Sequence, residues 1–400
     1  MKFIHCADLH LGNSFEGLNG VSDSQMKILI DSGIDALNQM VDIAINEEID
    51  FILFVGDIFD NHKINITIQL KLRDIFEKLE KHGIYVFLSL GNHDFQDLDN
   101  YSFYFPENVY VFPNQVSTKK VIIKNEEIAV TGFSYKKRWV DRQIQSYPKR
   151  LDVKWHIGML HGSVFEEDNL QNYAPFKVSE LISKNYDYWA LGHIHSYHEL
   201  STLPSIIYPG SLQGKNNKEI TKKGFVIVES KDGKLCPRFR ELTVLKWVTL
   251  NLKVVKEQTF SEIEDTMIKS IEKQTVEESK LVIVSVVINV LSPNAELVKN
   301  LQNGYMLRSL RRRMDEKIFI RKISYTTEAF FGDNMLDENI LLDVKNKIFE
   351  KSIILNLLGN LKEYEFIEEY FKNENELEDI FEKTKLKLSG DIDSYENFRS

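Results

Sequence analysis

The chain has 400 residues, 43% of them hydrophobic, and 50 basic against 60 acidic side chains give a net charge of −10. This is a globular composition, long enough for two or three domains, and it excludes tight nucleic-acid binding through the overall field. Two cysteines exclude a disulfide framework, and the longest apolar run, Leu281 to Leu291, is too short to span a bilayer.

Residues 361–400 carry twelve acidic and six basic side chains, so −6 of the net charge sits in a tail and only −4 in the other 360 residues. The start of the chain shows no signal-peptide pattern, and with two cysteines this predicts a cytoplasmic protein without membrane segments.

In chain order, Phe3–Cys6 reads as a strand. The next segment, Ser22 to Asn46, reads as a helix with Ile30, Ile34, Leu37, Val41 and Ala44 on its apolar face. Phe51–Val55 is a buried strand, Thr67 to Lys81 a helix ending near Gly83, and Tyr85–Leu90 another strand. Strands follow at Ile128–Phe133, His156–Leu160, Tyr188–Leu191 and Gly224–Val228, the last turning at Gly233 into a hairpin. The strand–helix–strand start implies parallel pairing. From about Trp247 the texture changes: strands at 247–255, 281–290 and 318–323 and a helix near 261–273 predict a small α+β domain. The domains expected are 1–243, 244–332 and a helical, acidic region 333–400.

Five polar segments each follow an apolar strand: Asp8-Leu9-His10, Gly56-Asp57-Ile58-Phe59-Asp60, Gly91-Asn92-His93-Asp94, His161-Gly162 and Gly192-His193-Ile194-His195. Ligands gather beyond the carboxyl ends of strands in α/β sheets, so the five should converge. Singly each has an ordinary structural reading: Asp57 as a cap, His161 as a core histidine, Cys6 as a small strand residue. Together, carboxylates, a carboxamide and imidazoles suit Mn²⁺ or Fe²⁺ better than a structural zinc. The set suffices for two ions if one carboxylate bridges; two ions roughly 3.5–4 Å apart clamp a phosphate and activate water.

These segments, in this order and spacing, resemble the calcineurin-like metallophosphoesterase superfamily. Cys6-Ala7-Asp8-Leu9-His10-Leu11-Gly12, the Gly56–Asp60 segment and Tyr208-Pro209-Gly210-Ser211 resemble bacterial SbcD-type DNA repair exonuclease subunits, and length and tail resemble the shorter YhaO-like branch. The resemblance is specific over residues 1–240. It implies an α/β (α+β) fold, a two-sheet sandwich flanked by helices, followed by a small capping domain. It implies one ion on Asp8, His10, Asp57 and His195, and a second on Asp57, Asn92, His161 and His193. His93 would be a non-ligand facing the scissile phosphate, oriented by Asp60, and Asp94 would order its loop. The resemblance further implies Mn²⁺-dependent DNA cleavage, a homodimer, a cap that guides DNA and a C-terminal element docking on an ABC-type coiled-coil ATPase.

Other readings stay open. A Ser/Thr phosphatase shares the metal core but carries arginines after the second and third motifs, where this chain has Asn61-His62 and Phe95-Gln96. A small-nucleotide phosphodiesterase and a non-catalytic DNA-binding protein complete the set. For DNA contact the segment 135–150 offers Lys136, Lys137, Arg138, Arg142, Lys149 and Arg150 interleaved with Tyr135, Trp139 and Tyr147. A solvated loop with its aromatics in the core fits it equally well. Arg308, Arg311, Arg312 and Arg313 cover more than one face of an expected helix. In the tail, Ile340, Leu341, Val344, Ile348 and Leu355, then Ile367, Tyr370, Phe371, Leu377, Ile380 and Phe381, form an apolar stripe for self-packing or for a partner groove.

Overall fold

The computed structural model describes residues 1–12, 15, 18–100, 103–165, 173–217, 219–254, 259–274, 279–290 and 303–327. The apolar stripe expected within 333–400 lies outside the described residues.

In chain order the elements begin β1 (Lys2–Cys6), α1 (Asp23–Asn46), β2 (Phe51–Val55), α2 (Ile66–Lys81), β3 (Tyr85–Ser89) and β4 (Val109–Val111). They continue with β5 (Ser117–Ile123), β6 (Glu126–Gly132), β7 (Trp155–His161), α3 (Val178–Ser183), β8 (Tyr188–Gly192), β9 (His198–Thr202) and β10 (Ser205–Tyr208). The last are β11 (Lys223–Lys231), β12 (Lys234–Leu242), β13 (Leu245–Val254), α4 (Phe260–Glu272), β14 (Leu281–Val290), α5 (Tyr305–Arg313) and β15 (Ile318–Thr327). One six-stranded sheet runs β12-β11-β1-β2-β3-β4, another β5-β6-β7-β8-β10-β9, and β13-β14-β15 form a third, smaller one. Strands β1 to β4 pair parallel, as the alternating start implied, while β11 closes on β1 antiparallel. The expected hairpin at Gly233 joins β11 to β12, with Asp232 and Gly233 both at positive φ.

Alternation along the strands explains the layers. Phe3, Phe51, Leu53 and Val55 point one way and meet Ile128, Val130, Ile157, Met159 and Ala190 of the second sheet, forming the inter-sheet core. Ile4, Cys6, Ile52 and Phe54 point the other way, onto Leu37, Met40 and Val41 of α1 and Leu72 and Phe76 of α2. Strands covered on both faces read as unbroken apolar runs, which is why they stood out in the sequence. Ser22 caps α1 in a capping box with Gln25. The expected face of α1 is the buried one at Leu37, Val41 and Ala44, with Ile34 packed beside them, but in the first turns Leu29 is buried in place of Ile30, which is 68% exposed.

By internal packing, Met1–Leu250, Thr266–Val286 and Leu307–Lys322 form one unit, and the described parts of 251–265, 287–306 and 323–327 belong to another. Inside the first unit Leu18 and Leu29 share a core with Leu245, Trp247, Leu281, Ile283 and Phe319. Arg311 is no solvated arginine: it lies over the Phe319 ring at 4.5 Å and donates to Ile320 O at 2.7 Å. Among the described residues no helix is long and apolar enough to cross a membrane.

Candidate metal centre

The first sheet delivers Asp8 and His10 after β1, Asp57 after β2 and Asn92 after β3. The second delivers His161 at the end of β7, then His193 and His195 after β8. Reaching inward from strand ends forces sharp backbone turns. Asp8, His10, Asp57 and His193 all hold positive φ, at 55°, 43°, 52° and 107°. Such strain persists only where the surroundings over-determine it. Gly56, at φ 76°, admits no side chain because a Cβ would collide with the His161 ring, and one at Gly192 would collide with Val55 O.

Ligand atoms of Asp8, His10 and His195 lie within 4.8 Å of one another, as do those of Asp8, Asp57 and His161. Asn92 Oδ1 sits 3.0 Å from His161 Nε2 and 3.2 Å from His193 Nδ1. Asp57 Oδ2 is 3.4 Å from His161 Nε2 and 3.7 Å from His10 Nε2, so it faces both halves of the centre. His10 Nε2 and His195 Nε2 point at each other across 3.1 Å. All seven sequence-predicted ligands are thus together. His161 Nδ1 donates to Val55 O at 3.0 Å, which aims Nε2 inward.

Charge is unevenly held. Burial acts to lower His161, but the charge and hydrogen bond of Asp57, aided by Asp8, hold it at about 9. Burial and the neighbouring His161 push His193 down to about 4, and burial also lowers His10. Asp57 is held far below the carboxylate range: burial opposes this, but His161, His10 and His93 prevail.

Asp94 orders its loop, as expected: its carboxylate accepts from Gly91 N at 2.6 Å and from Ile58 N and Phe59 N at 2.7 and 3.2 Å. The role expected of Asp60 needs correction. His93 Nδ1 lies 3.3 Å from the Asp60 main-chain oxygen, whereas the carboxylate turns to His10 Nδ1 at 3.2 Å and Lys215 Nζ at 3.7 Å. The His10 approach is an ion-pair contact without hydrogen-bond alignment.

The basic segment divides in two. Lys136 pairs with Asp97 and Asp99 at 2.9 and 3.2 Å, and Arg142 pairs with Glu180. Arg150 ties Asp187 at 3.1 Å and the carbonyls of Leu151, Val153 and Lys154, a structural brace. Tyr135 and Tyr147 are buried and donate to His161 O and Met159 O. Lys137, Arg138 and Lys149 are exposed and have no ion-pair partner among the described residues.

Two residues escaped the sequence reading. Lys215 is largely covered beside the centre and donates to His10 O at 3.0 Å; loss of solvent brings it down to about 8. Glu219 places Oε1 3.4 Å from His195 Nδ1 while Oε2 accepts from Lys223 at 3.0 Å. Burial opposes its ionisation, yet His195 and Lys223 hold it at about 2. A carboxylate behind a ligating imidazole fixes its tautomer, so Glu219→Gln should weaken metal binding about 10–100-fold. Competition against a chelating dye measures this, and an unchanged affinity would remove Glu219 from the centre.

The model for the family described as calcineurin-like phosphoesterase matches residues 1–197. The metallophosphoesterase YhaO of Bacillus subtilis, itself named as uncharacterized, is 34% identical over 277 residues, covering 67% of this chain and 68% of the relative. The chain belongs to the calcineurin-like phosphoesterase family. It is therefore a phosphoester hydrolase of a kind that works with divalent metal ions. The donors of this phosphoesterase fit such ions. Carboxylate and carboxamide oxygens and imidazole nitrogens converge from five loops, and His10 Nε2 and His195 Nε2, two imidazole donors, meet across 3.1 Å. More distant relatives include the SbcD component of the SbcCD nuclease of Staphylococcus saprophyticus, 26% identical over 62% of this chain and 70% of that one. The DNA double-strand break repair protein Mre11 of Thermoplasma acidophilum is 24% identical over 50% of this chain and 57% of its own. The phosphoesterase thus spans little more than half of that archaeal relative.

Proposed function

We propose that the protein is a Mn²⁺-dependent DNA nuclease that hydrolyses phosphodiester bonds with two ions per chain. One observation carries the reading: seven ligand side chains converge, with Asp57 between two clusters, and His93 joins His10 and Asp60 in a third group at their edge, to which we assign the acid and not an ion. Asp8, His10, Asp57 and His195 would hold one ion, and Asp57, Asn92, His161 and His193 the other. Bound there, the ions supply charge stabilisation for the phosphate and an acidified water. His93, held by Asp60 O, presents its ring to the phosphate and gives a proton to the leaving oxygen. Asp57 also accepts from His93 N at 2.9 Å, so ligand and acid are set by one carboxylate.

A phosphatase grip finds no support in the loops after the motifs. Phe95 stacks on His62 at 5.0 Å and Gln96 donates to His62 O, a packed strap in place of arginines. The relatives named as repair nucleases favour DNA. On the same grounds we place the protein in the cytoplasm, in line with free Cys6 and Cys236. We also assign it a homodimer, a DNA-guiding segment at 244–332 and an ATPase-docking segment at 333–400. The test is cleavage of end-labelled single- and double-stranded DNA with Mn²⁺, with a phosphoprotein as competing substrate. Cut DNA with intact phosphoprotein is expected. Phosphate release from the phosphoprotein with intact DNA overturns the reading in favour of a phosphatase.

A further inference from the structure

Of the four tryptophans, Trp155, Trp189 and Trp247 are buried at 6%, 0% and 7% exposure, while Trp139 is 50% exposed. Its inner face is fully engaged: the indole stacks on Tyr173 with centroids 4.4 Å apart and planes 10° from parallel. Tyr173 lies in turn 4.9 Å from the ring of His193. The ledge is rigid, because Tyr173 exchanges hydrogen bonds with Ser163 and the Ala174 N–H donates to Val140 O at 2.9 Å. Lys137 and Arg138, exposed and free of ion-pair partners among the described residues, adjoin the indole in sequence. An indole anchored on one side, exposed on the other and flanked in sequence by cations that pair with no described residue is a combination suited to single-stranded nucleic acid: cations track the backbone and every base has a π-face to stack.

Resting on the nuclease reading, we propose that Trp139, two ring spacings from His193, stacks an unpaired base of the substrate on its outer face. The enzyme then takes nucleic acid that is single-stranded, or frayed, next to the scissile phosphate. Trp139 sets which phosphodiesters are used and takes no part in proton transfer.

The full-length protein with Mn²⁺ is assayed on single-stranded oligonucleotides, intact or carrying one abasic residue at successive positions. At one position the intact substrate should be preferred on the order of tenfold in kcat/KM, the worth of one base–aromatic stack. Trp139→Ala should bring that ratio to about one, and Trp139→Phe should largely restore it. A merely structural Trp139 would lower both substrates equally, and that result overturns the proposal. A second measurement needs no catalysis: in EDTA, a single-stranded oligonucleotide should quench tryptophan fluorescence in the parent and leave Trp139→Phe unaffected. Equal quenching in both, or none in the parent, also overturns it. Quenching by an oligonucleotide that the Mn²⁺ protein fails to cut would leave the stack standing and sink the nuclease reading instead.

Discussion

Asp57→Ala should leave a folded protein that retains neither metal ion and hydrolyses phosphodiesters on the order of 10⁴-fold more slowly or worse. Asp57 Oδ2 faces His161 on one side and His10 on the other, so its loss deprives both clusters of an oxygen at once. Elemental analysis of the purified variant measures this. Two ions retained, or one, would show that Asp57 does not bridge. The same carboxylate also governs how metal uptake depends on pH. With His161 held at about 9, the metal-free protein at pH 7.5 carries an imidazolium that an ion must deprotonate, whereas His193, at about 4, is already neutral. Metal affinity should therefore rise with pH up to about 9, and loading should release about one proton from this imidazole. In Asp57→Asn His161 loses the charge that holds its proton, so an NMR pH titration of the metal-free protein should find this imidazole titrating well below its value in the parent. An imidazole that titrates unchanged in the variant would contradict the coupling.

His93→Ala should keep its metal and lose about 10²–10⁴-fold in kcat, the worth of a general acid. Its ring stands edge-on to His10 at 4.8 Å and contacts the Asp60 main chain, outside the two ligand clusters. A diester with a 4-nitrophenolate leaving group needs little protonation and should suffer a much smaller loss than DNA. His195→Ala, by contrast, should lower metal content. Equal metal loss in the two variants, or equal penalties on both substrates, would remove the acid role from His93.

The strand-end segments were legible because a strand buried on both faces leaves an apolar run, and a polar burst after it has nowhere to go except beyond the sheet. Lys215 and Glu219 were not legible. They reach the centre because β11 pairs with β1, Lys2 opposite Glu229, a contact that sequence distance conceals. The charges of the 135–150 segment were visible, but their partners Asp97, Asp99, Glu180 and Asp187 lie in other segments, so half the apparent basic surface was already spoken for. Likewise the face of α1 was legible at Leu37, Val41 and Ala44, and only its first turns were decided by tertiary packing, which buries Leu29 and leaves Ile30 outside.

The donors come from both leaves of the sandwich: Asp8, His10, Asp57 and Asn92 from one, His161, His193 and His195 from the other. An ion held between such donors is a rivet, and a rivet resists shear of the plates it joins. Each filled site should add about 2.7 kcal/mol of stability at a hundredfold excess of metal over its Kd. For a unit of this size that raises the melting temperature by roughly 2–4 °C per kcal/mol. Reciprocity then makes the catalytic ions reporters of the architecture. A substitution in the inter-sheet core, such as Met159→Ala, lets the leaves slide and should loosen metal grip without touching a single ligand.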